Sequence, residues 1–401
     1  MTERREVISK RKKVAFVCSG GATKAAAFHM GVGLALQEKG FRFVGGLKSK
    51  KAHLGPRTHM DIDSYVGSSA GSIIAAYLAA GYSVDQIFNA FLGKKKDSPL
   101  KPMSYSTLMS VKSSQHEDAT REGLTKRLRS LTTNAIDLIY RRQRLLSMNG
   151  LFTTAGIEEY MREDVLPSNK FQDYLPDLCI VATQLNHSKR VIFSNNKLPT
   201  PADDPGCIYE TQVAISDAVA ASVALPPIFA PYGIKNSNGK IIYFFDGEIR
   251  ETLSVNAAEQ GGADLIIASY THQPYHFSRE IGSLTKFGIT AIGIQAIYLM
   301  IERKIQSSIF ARNQKLAALE AVNEYCKDHL DEKHRRKIMN ILESELVVAP
   351  ENRYIYINPR ARDHEMFFGD HFNFSSKFME KIVRGGFMAA IETLRRYEFE
   401  K

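Results

Sequence analysis

Short apolar runs that stop abruptly at glycine or serine, each followed by an apolar-rich stretch of helical length, set the rhythm of the first half of the chain. VAFVC (14–18) is continuous and apolar and halts at Ser19-Gly20-Gly21, the pattern of a strand buried on both faces. AAAFHMGVGLALQEKG (25–40) then predicts a helix ending at Gly40. Asp61 to Val66 predicts a second strand stopping at Gly67, and SIIAAYLAAG (72–81) a second helix closed by Gly81. Strands are predicted again over LCIVAT (178–183), KRVIFS (189–194), IIYFF (241–245), DLIIAS (264–269) and YIYIN (354–358), and a last helix over 382–396. This alternation predicts an α/β fold, a mostly parallel central sheet flanked by helices.

Two segments interrupt the rhythm. Residues 93–150, from GKKKDSPLKP to RRQRLL, are polar and basic with weak periodicity. Residues 277–347 predict helix, with Ile305, Ile309, Leu316, Leu319, Val322 and Leu330 near the 3.6-residue period. A strand and a helix follow, so both segments read as insertions. The organisation expected is a basic tail over 1–13 and one catalytic domain over 14–401.

Charge sharpens that picture. The 53 Lys and Arg against 43 Asp and Glu leave a net +10, which suggests a polyanionic partner. Residues 1–13 hold six Lys/Arg against two acids, and 94–150 hold twelve against five, so the rest of the chain is nearly neutral. Two local patches on a neutral body fit an anionic membrane surface better than nucleic acid. No zinc pattern, RNA-binding aromatic motif or helix-turn-helix signal is present either.

Cys18, Cys179, Cys207 and Cys326 are scattered without metal spacing, as small core residues would be in a reducing compartment. No metal and no cofactor is expected. The first thirteen residues are too polar for a signal peptide. The uncharged run FGITAIGIQAIYLMI (287–301) falls short of the roughly twenty residues a spanning helix needs. The expectation is a cytoplasmic protein that meets membranes peripherally. Core helix, membrane-facing helix and homodimer contact all stay open for 287–301.

Three features carry chemistry. Gly67-Ser68-Ser69-Ala70-Gly71 matches G-x-S-x-G where a predicted strand meets a predicted helix, the setting of a nucleophile elbow. Ser19-Gly20-Gly21-Ala22-Thr23-Lys24 follows a strand and precedes a helix, so its N–H groups form either an anion cradle or a tight turn. It matches neither the Walker nor the dinucleotide fingerprint. Asp246-Gly247 follows IIYFF and is either a plain turn or a functional acid. All three are expected just past the carboxyl ends of parallel strands, where open α/β sheets bind ligands.

In this order the chain resembles the patatin-like phospholipase family. The resemblance runs through the Gly-rich loop and helix (15–39), GSSAG (67–71), AVAASVALPPIFAPY (218–232), Asp246-Gly247 with NAAEQGGADLIIAS (256–269), and a closing strand and helix (354–396). It implies a three-layer sandwich and an acyl hydrolase working through a Ser-Asp dyad. Ser69 would be the nucleophile and Asp246 its base, with the amides of Gly20, Gly21 and Ala22 forming the oxyanion hole. The implied substrate is a phospholipid or other acyl-ester lipid, attacked as by a phospholipase A or lysophospholipase.

The chain departs from the family pattern at three places. Ser19 replaces the first glycine of the loop, and Ala25 or Ala26 stands for its last. Lys24 is the counterpart of the basic residue and a candidate anion contact. Glu248 stands where a small residue is usual; facing inward it would raise the pKa of Asp246, but its expected place is solvent. Two alternatives remain. One is a Ser-Asp-His triad, drawing on His272, His276, His329, His334, His364 or His371. The other is a non-catalytic anion-binding protein.

Overall fold

The computed structural model describes residues 5–53, 56–92, 99–103, 107, 150, 152–201, 204–226, 228–370 and 373–400. Most of the basic segment predicted at 93–150 lies outside them. The chain opens with β1 (Glu6–Ile8), β2 (Val14–Cys18), α1 (Ala22–Glu38), β3 (Arg42–Phe43), β4 (Asp61–Ser68), α2 (Ala70–Ala80) and α3 (Val84–Phe91). Next come α4 (Ala155–Tyr160), β5 (Asp177–Gln184), β6 (Arg190–Ser194), β7 (Cys207–Glu210), α5 (Ile215–Ser222), β8 (Tyr232–Lys235) and β9 (Ile241–Asp246). Then follow α6 (Val255–Gln260), β10 (Leu265–Ser269), α7 (Gly288–His329), α8 (Glu332–Leu346), β11 (Arg353–Ile357), α9 (Glu365–Phe368), α10 (Ser376–Leu394) and β12 (Tyr397–Phe399).

Ten strands share one sheet, in the order β11-β10-β2-β4-β5-β6-β7, with β3 beside β4 and β9 beside β5. From β11 to β5 every neighbour is parallel. The central strand β2 explains the layers. Val14, Phe16 and Cys18 point into a core shared with α1, α2 and α10, whereas Ala15 and Val17 point into one shared with α6 and Ile305 of α7. Alternate side chains leave a strand on opposite faces, so a wholly apolar strand needs helices on both. The result is a mostly parallel sheet between two helical layers. All four cysteines are buried and free.

Two expectations are corrected. The IIYFF strand, read as parallel, is β9, and it runs antiparallel to β5 with Asp246 opposite Ala182. Asp246 therefore reaches the carboxyl edge of β4 and β5 from the opposite direction. Within the supposed basic tail, β1 pairs in parallel with β12 and buries Ile8. Three residues are too few for alternation to reveal.

The helices α7 and α8 occupy the stretch that helical periodicity marked. Among the described residues no helix is long and apolar enough to cross a membrane.

Candidate active site

Ser69 sits in the one-residue turn between β4 and α2, with φ 52° and ψ −128°. A non-glycine residue with this backbone is strained by roughly 1–3 kcal/mol, and such positions persist where the surroundings impose them. Two contacts impose it here. The N–H of Ser69 donates to Ser222 Oγ at 2.9 Å, and that hydroxyl donates to the Val181 carbonyl at 2.6 Å. The Ser69 carbonyl accepts from Ser72 Oγ at 2.6 Å. Gly71 makes the turn possible, because a Cβ there would lie 2.2 Å from the Cys18 carbonyl oxygen. Gly67 and Ser68 end β4, and Ala70 opens α2.

Asp246 ends β9 and is buried, and the Ser69 hydroxyl acts on its carboxyl, favouring the ionised form. Its Oδ1 also accepts from the Glu248 N–H at 2.9 Å. Burial pushes the carboxyl up to about 6, against the lowering effect of the Ser69 hydroxyl and the Glu248 N–H. Gly247 presses its Cα against β5, close to the Val181 carbonyl.

Glu248, expected in solvent, is buried beneath the glycine loop. Its Oε1 accepts the Gly20 N–H at 3.0 Å. Burial first, and then repulsion from Asp246, push its carboxyl up to about 8. The repulsion falls on Glu248 because it is the later of the two to ionise. The acid turns inward because the chain reverses at Gly247 directly under the loop, where the Gly20 amide needs an acceptor.

The loop itself is pinned atom by atom. Ser19 N–H donates to the Ser269 carbonyl at 3.0 Å, and Thr271 Oγ1 donates to the Gly20 carbonyl at 2.7 Å. His29 Nε2 lies 2.9 Å from the Ser19 carbonyl, which can only accept, so this nitrogen carries the proton. Nδ1 then accepts from Ser269 Oγ at 2.7 Å. Full burial lowers His29 to about 4, leaving it neutral. Gly20 approaches so closely that a Cβ on it would lie 2.7 Å from Ser69 Cβ.

With the Gly20 N–H committed to Glu248, the loop amides facing no acceptor among the described residues are those of Gly21 and Ala22. Of the three residues expected to form the oxyanion hole, Gly20 therefore has its donor engaged elsewhere. Ala22 holds φ 56° as α1 begins, a second strained position beside Ser69.

Lys24 is corrected as an anion contact. It is buried, and its Nζ donates to the carbonyls of Met366 at 2.9 Å and Gly369 at 3.0 Å, tying α1 to the turn after α9. Burial lowers it to about 8, partly countered by Asp370.

Ser69 opens into a narrow apolar cleft lined by Ala26, Ile73, Phe91, Ile157, Val223 and Phe229 among others. The histidines stand elsewhere: His272 packs edge-on against Tyr298, His364 lies against Tyr275, and His276, His329 and His334 are exposed. None of them is a hydrogen-bond partner of Asp246, and His371 lies outside the described residues.

Three site residues escaped the reading of the sequence. Ser222 and Thr271 carried no signal, being a small hydroxyl within an Ala-rich helix and one just beyond a strand. His29 carried a weak one, as the sole polar ring in AAAFHMG.

A 25% identity over 209 residues relates the chain to the cUMP-AMP-activated phospholipase of Escherichia coli, covering 52% of this chain and 51% of that protein. The chain thus spans about half the length of that relative. A family model described as patatin-like phospholipase matches residues 16–258, well over half of the 401 residues and inclusive of the Gly-rich loop, Ser69 and Asp246, so the chain belongs to the patatin-like phospholipase family.

Proposed function

We propose that the protein is a lipid acyl hydrolase, with Ser69 as nucleophile and Asp246 as its base. One observation carries the reading: a serine on a strained turn and a buried carboxylate on which its hydroxyl acts meet at the head of an apolar cleft. A carboxylate in water is a feeble base toward serine, but burial brings Asp246 to about 6, ionised at neutral pH and more basic than usual.

The Ser69 proton passes to Asp246 as Oγ attacks the ester carbonyl. Negative charge develops on the carbonyl oxygen, stabilised by the Gly21 and Ala22 amides at the start of α1. Collapse of the tetrahedral species breaks the ester bond, and the alcohol or lysolipid leaves with the proton from Asp246. Water, deprotonated by Asp246, then frees the acyl group from Ser69. The apolar cleft suits an acyl chain, which supports a phospholipase A or lysophospholipase type.

The site faces an anionic membrane in this reading. Near the start of α7, Ile289 is 87% and Met300 65% exposed, and exposed Lys286 and Arg303 flank them. Apolar side chains beside cations are the composition of an interfacial helix.

A fluorophosphonate probe tests the chemistry. Labelling that Ser69→Ala abolishes supports the proposal. Labelling at another serine, or none by the folded wild type, contradicts it.

A further inference from the structure

Glu248 is a buried carboxyl beside the site that this mechanism leaves unused. Its Oε1 accepts the Gly20 N–H at 3.0 Å, and its Cγ would lie 2.8 Å from a Cβ on Gly20, so the side chain fills the space beneath the loop. The Gly20 carbonyl is separately held by Thr271, and both backbone polar groups of Ser19 are held by Ser269 and His29. Glu248 is thus the contact that joins the loop to the segment bearing Asp246.

We propose that Glu248 is a positioning residue that clamps Gly20 through its N–H and so aims the Gly21 and Ala22 amides at the developing oxyanion. This rests on the acyl-hydrolase reading of Ser69 and Asp246.

The clamp works as a neutral acid. Glu248 Oε2 and Ser68 Oγ are both buried without another partner, and the Ser68 hydroxyl acts on the Glu248 carboxyl. The Ser68 hydroxyl can serve either form of the acid, accepting from a protonated Oε2 or donating to an ionised one, so it is burial and the neighbouring Asp246 charge that favour the neutral form. The charged groups acting on Glu248 are Asp246 on its own segment and Lys304 from α7. Burial and Asp246 outweigh Lys304, so the proton stays until about pH 8. Beyond that, a second negative charge stands where the transition state gathers its own, and turnover must fall.

Rates on a soluble acyl ester, measured from pH 5 to 10 for wild type, Glu248→Gln and Glu248→Ala, test this together with an infrared titration of the carboxyl stretch. The wild type should show a bell, rising through about 6 as Asp246 ionises and falling through about 8 as Glu248 does. Glu248→Gln keeps an oxygen for Gly20 and an N–H for Ser68. It should restore most of the neutral-pH rate and lose the alkaline fall. Glu248→Ala should lower kcat between about tenfold and a hundredfold with KM little changed, the upper figure being that for one lost oxyanion donor.

A protonated-carboxyl band that disappears as pH rises through about 8, and is missing from Glu248→Gln, reports the proton without turnover. An alkaline fall that persists in Glu248→Gln, an unchanged kcat in Glu248→Ala, or no such band in the wild type would overturn the proposal. A wild type inert toward every ester would overturn the hydrolase reading, and the band separates that failure from failure of the Glu248 assignment.

Discussion

Asp246→Asn is expected to remove turnover and yet make the folded chain more stable above pH 6. The carboxyl titrates at about 6 in the folded protein, against an ordinary value of 3.8. The native chain therefore holds this proton more tightly than the unfolded chain does. The resulting stability is fully present below pH 3.8 and is lost as pH rises through about 6. At about 1.4 kcal/mol per pH unit, keeping the buried carboxylate ionised costs about 3 kcal/mol at pH 8.

Asparagine escapes that cost. Its Oδ1 can still accept the Glu248 N–H, and its Nδ2 can donate to Ser69 Oγ. Urea denaturation of wild type and variant at a series of pH values from 4 to 8 measures the difference. The variant should gain up to about 3 kcal/mol at pH 8 and almost nothing near pH 4. A variant no more stable at pH 8, or an advantage that ignores pH, would refute the burial argument.

Gly20→Ala places a Cβ 2.7 Å from Ser69 Cβ and 2.8 Å from Glu248 Cγ, and should cut kcat by about a hundredfold or more as the loop shifts; stopped assays on a soluble ester read this. Ser222→Ala leaves the buried Ser69 N–H without its acceptor, which should cost about 1–3 kcal/mol of stability in urea denaturation and lower acylation of Ser69. The pair Ile289→Asp and Met300→Asp should weaken flotation with anionic vesicles while hydrolysis of a soluble ester is retained. Unchanged flotation would remove α7 from the membrane contact.

The central strands were legible because their chemistry is blunt. VAFVC and LCIVA are apolar at every position, which few settings other than a doubly covered sheet allow. The nucleophile turn was legible for a related reason, since Gly67 and Gly71 are demanded by backbone contact rather than by side-chain preference. The direction of β9 was hidden, because an apolar run reads alike in both directions. The clue lay outside the run, in Asn238-Gly239, a hairpin signal between β8 and β9.

Glu248 and Lys24 were misplaced for a single reason. Charged residues are rarely buried, so solvent or a ligand is the default, and what overrides it is a backbone group needing a partner. For Glu248 that group is the Gly20 amide; for Lys24 it is the carbonyls of Met366 and Gly369. Both partners are hundreds of residues away in the chain, beyond any local pattern.

The most direct test of the account is mass spectrometry of intact protein and lipid after brief incubation with a mixed phospholipid extract. The wild type should release free fatty acid and carry one acyl group on Ser69, while Ser69→Ala releases none and carries none. Fatty acid release that survives Ser69→Ala, or an acyl group found on another residue of the wild type, would contradict it.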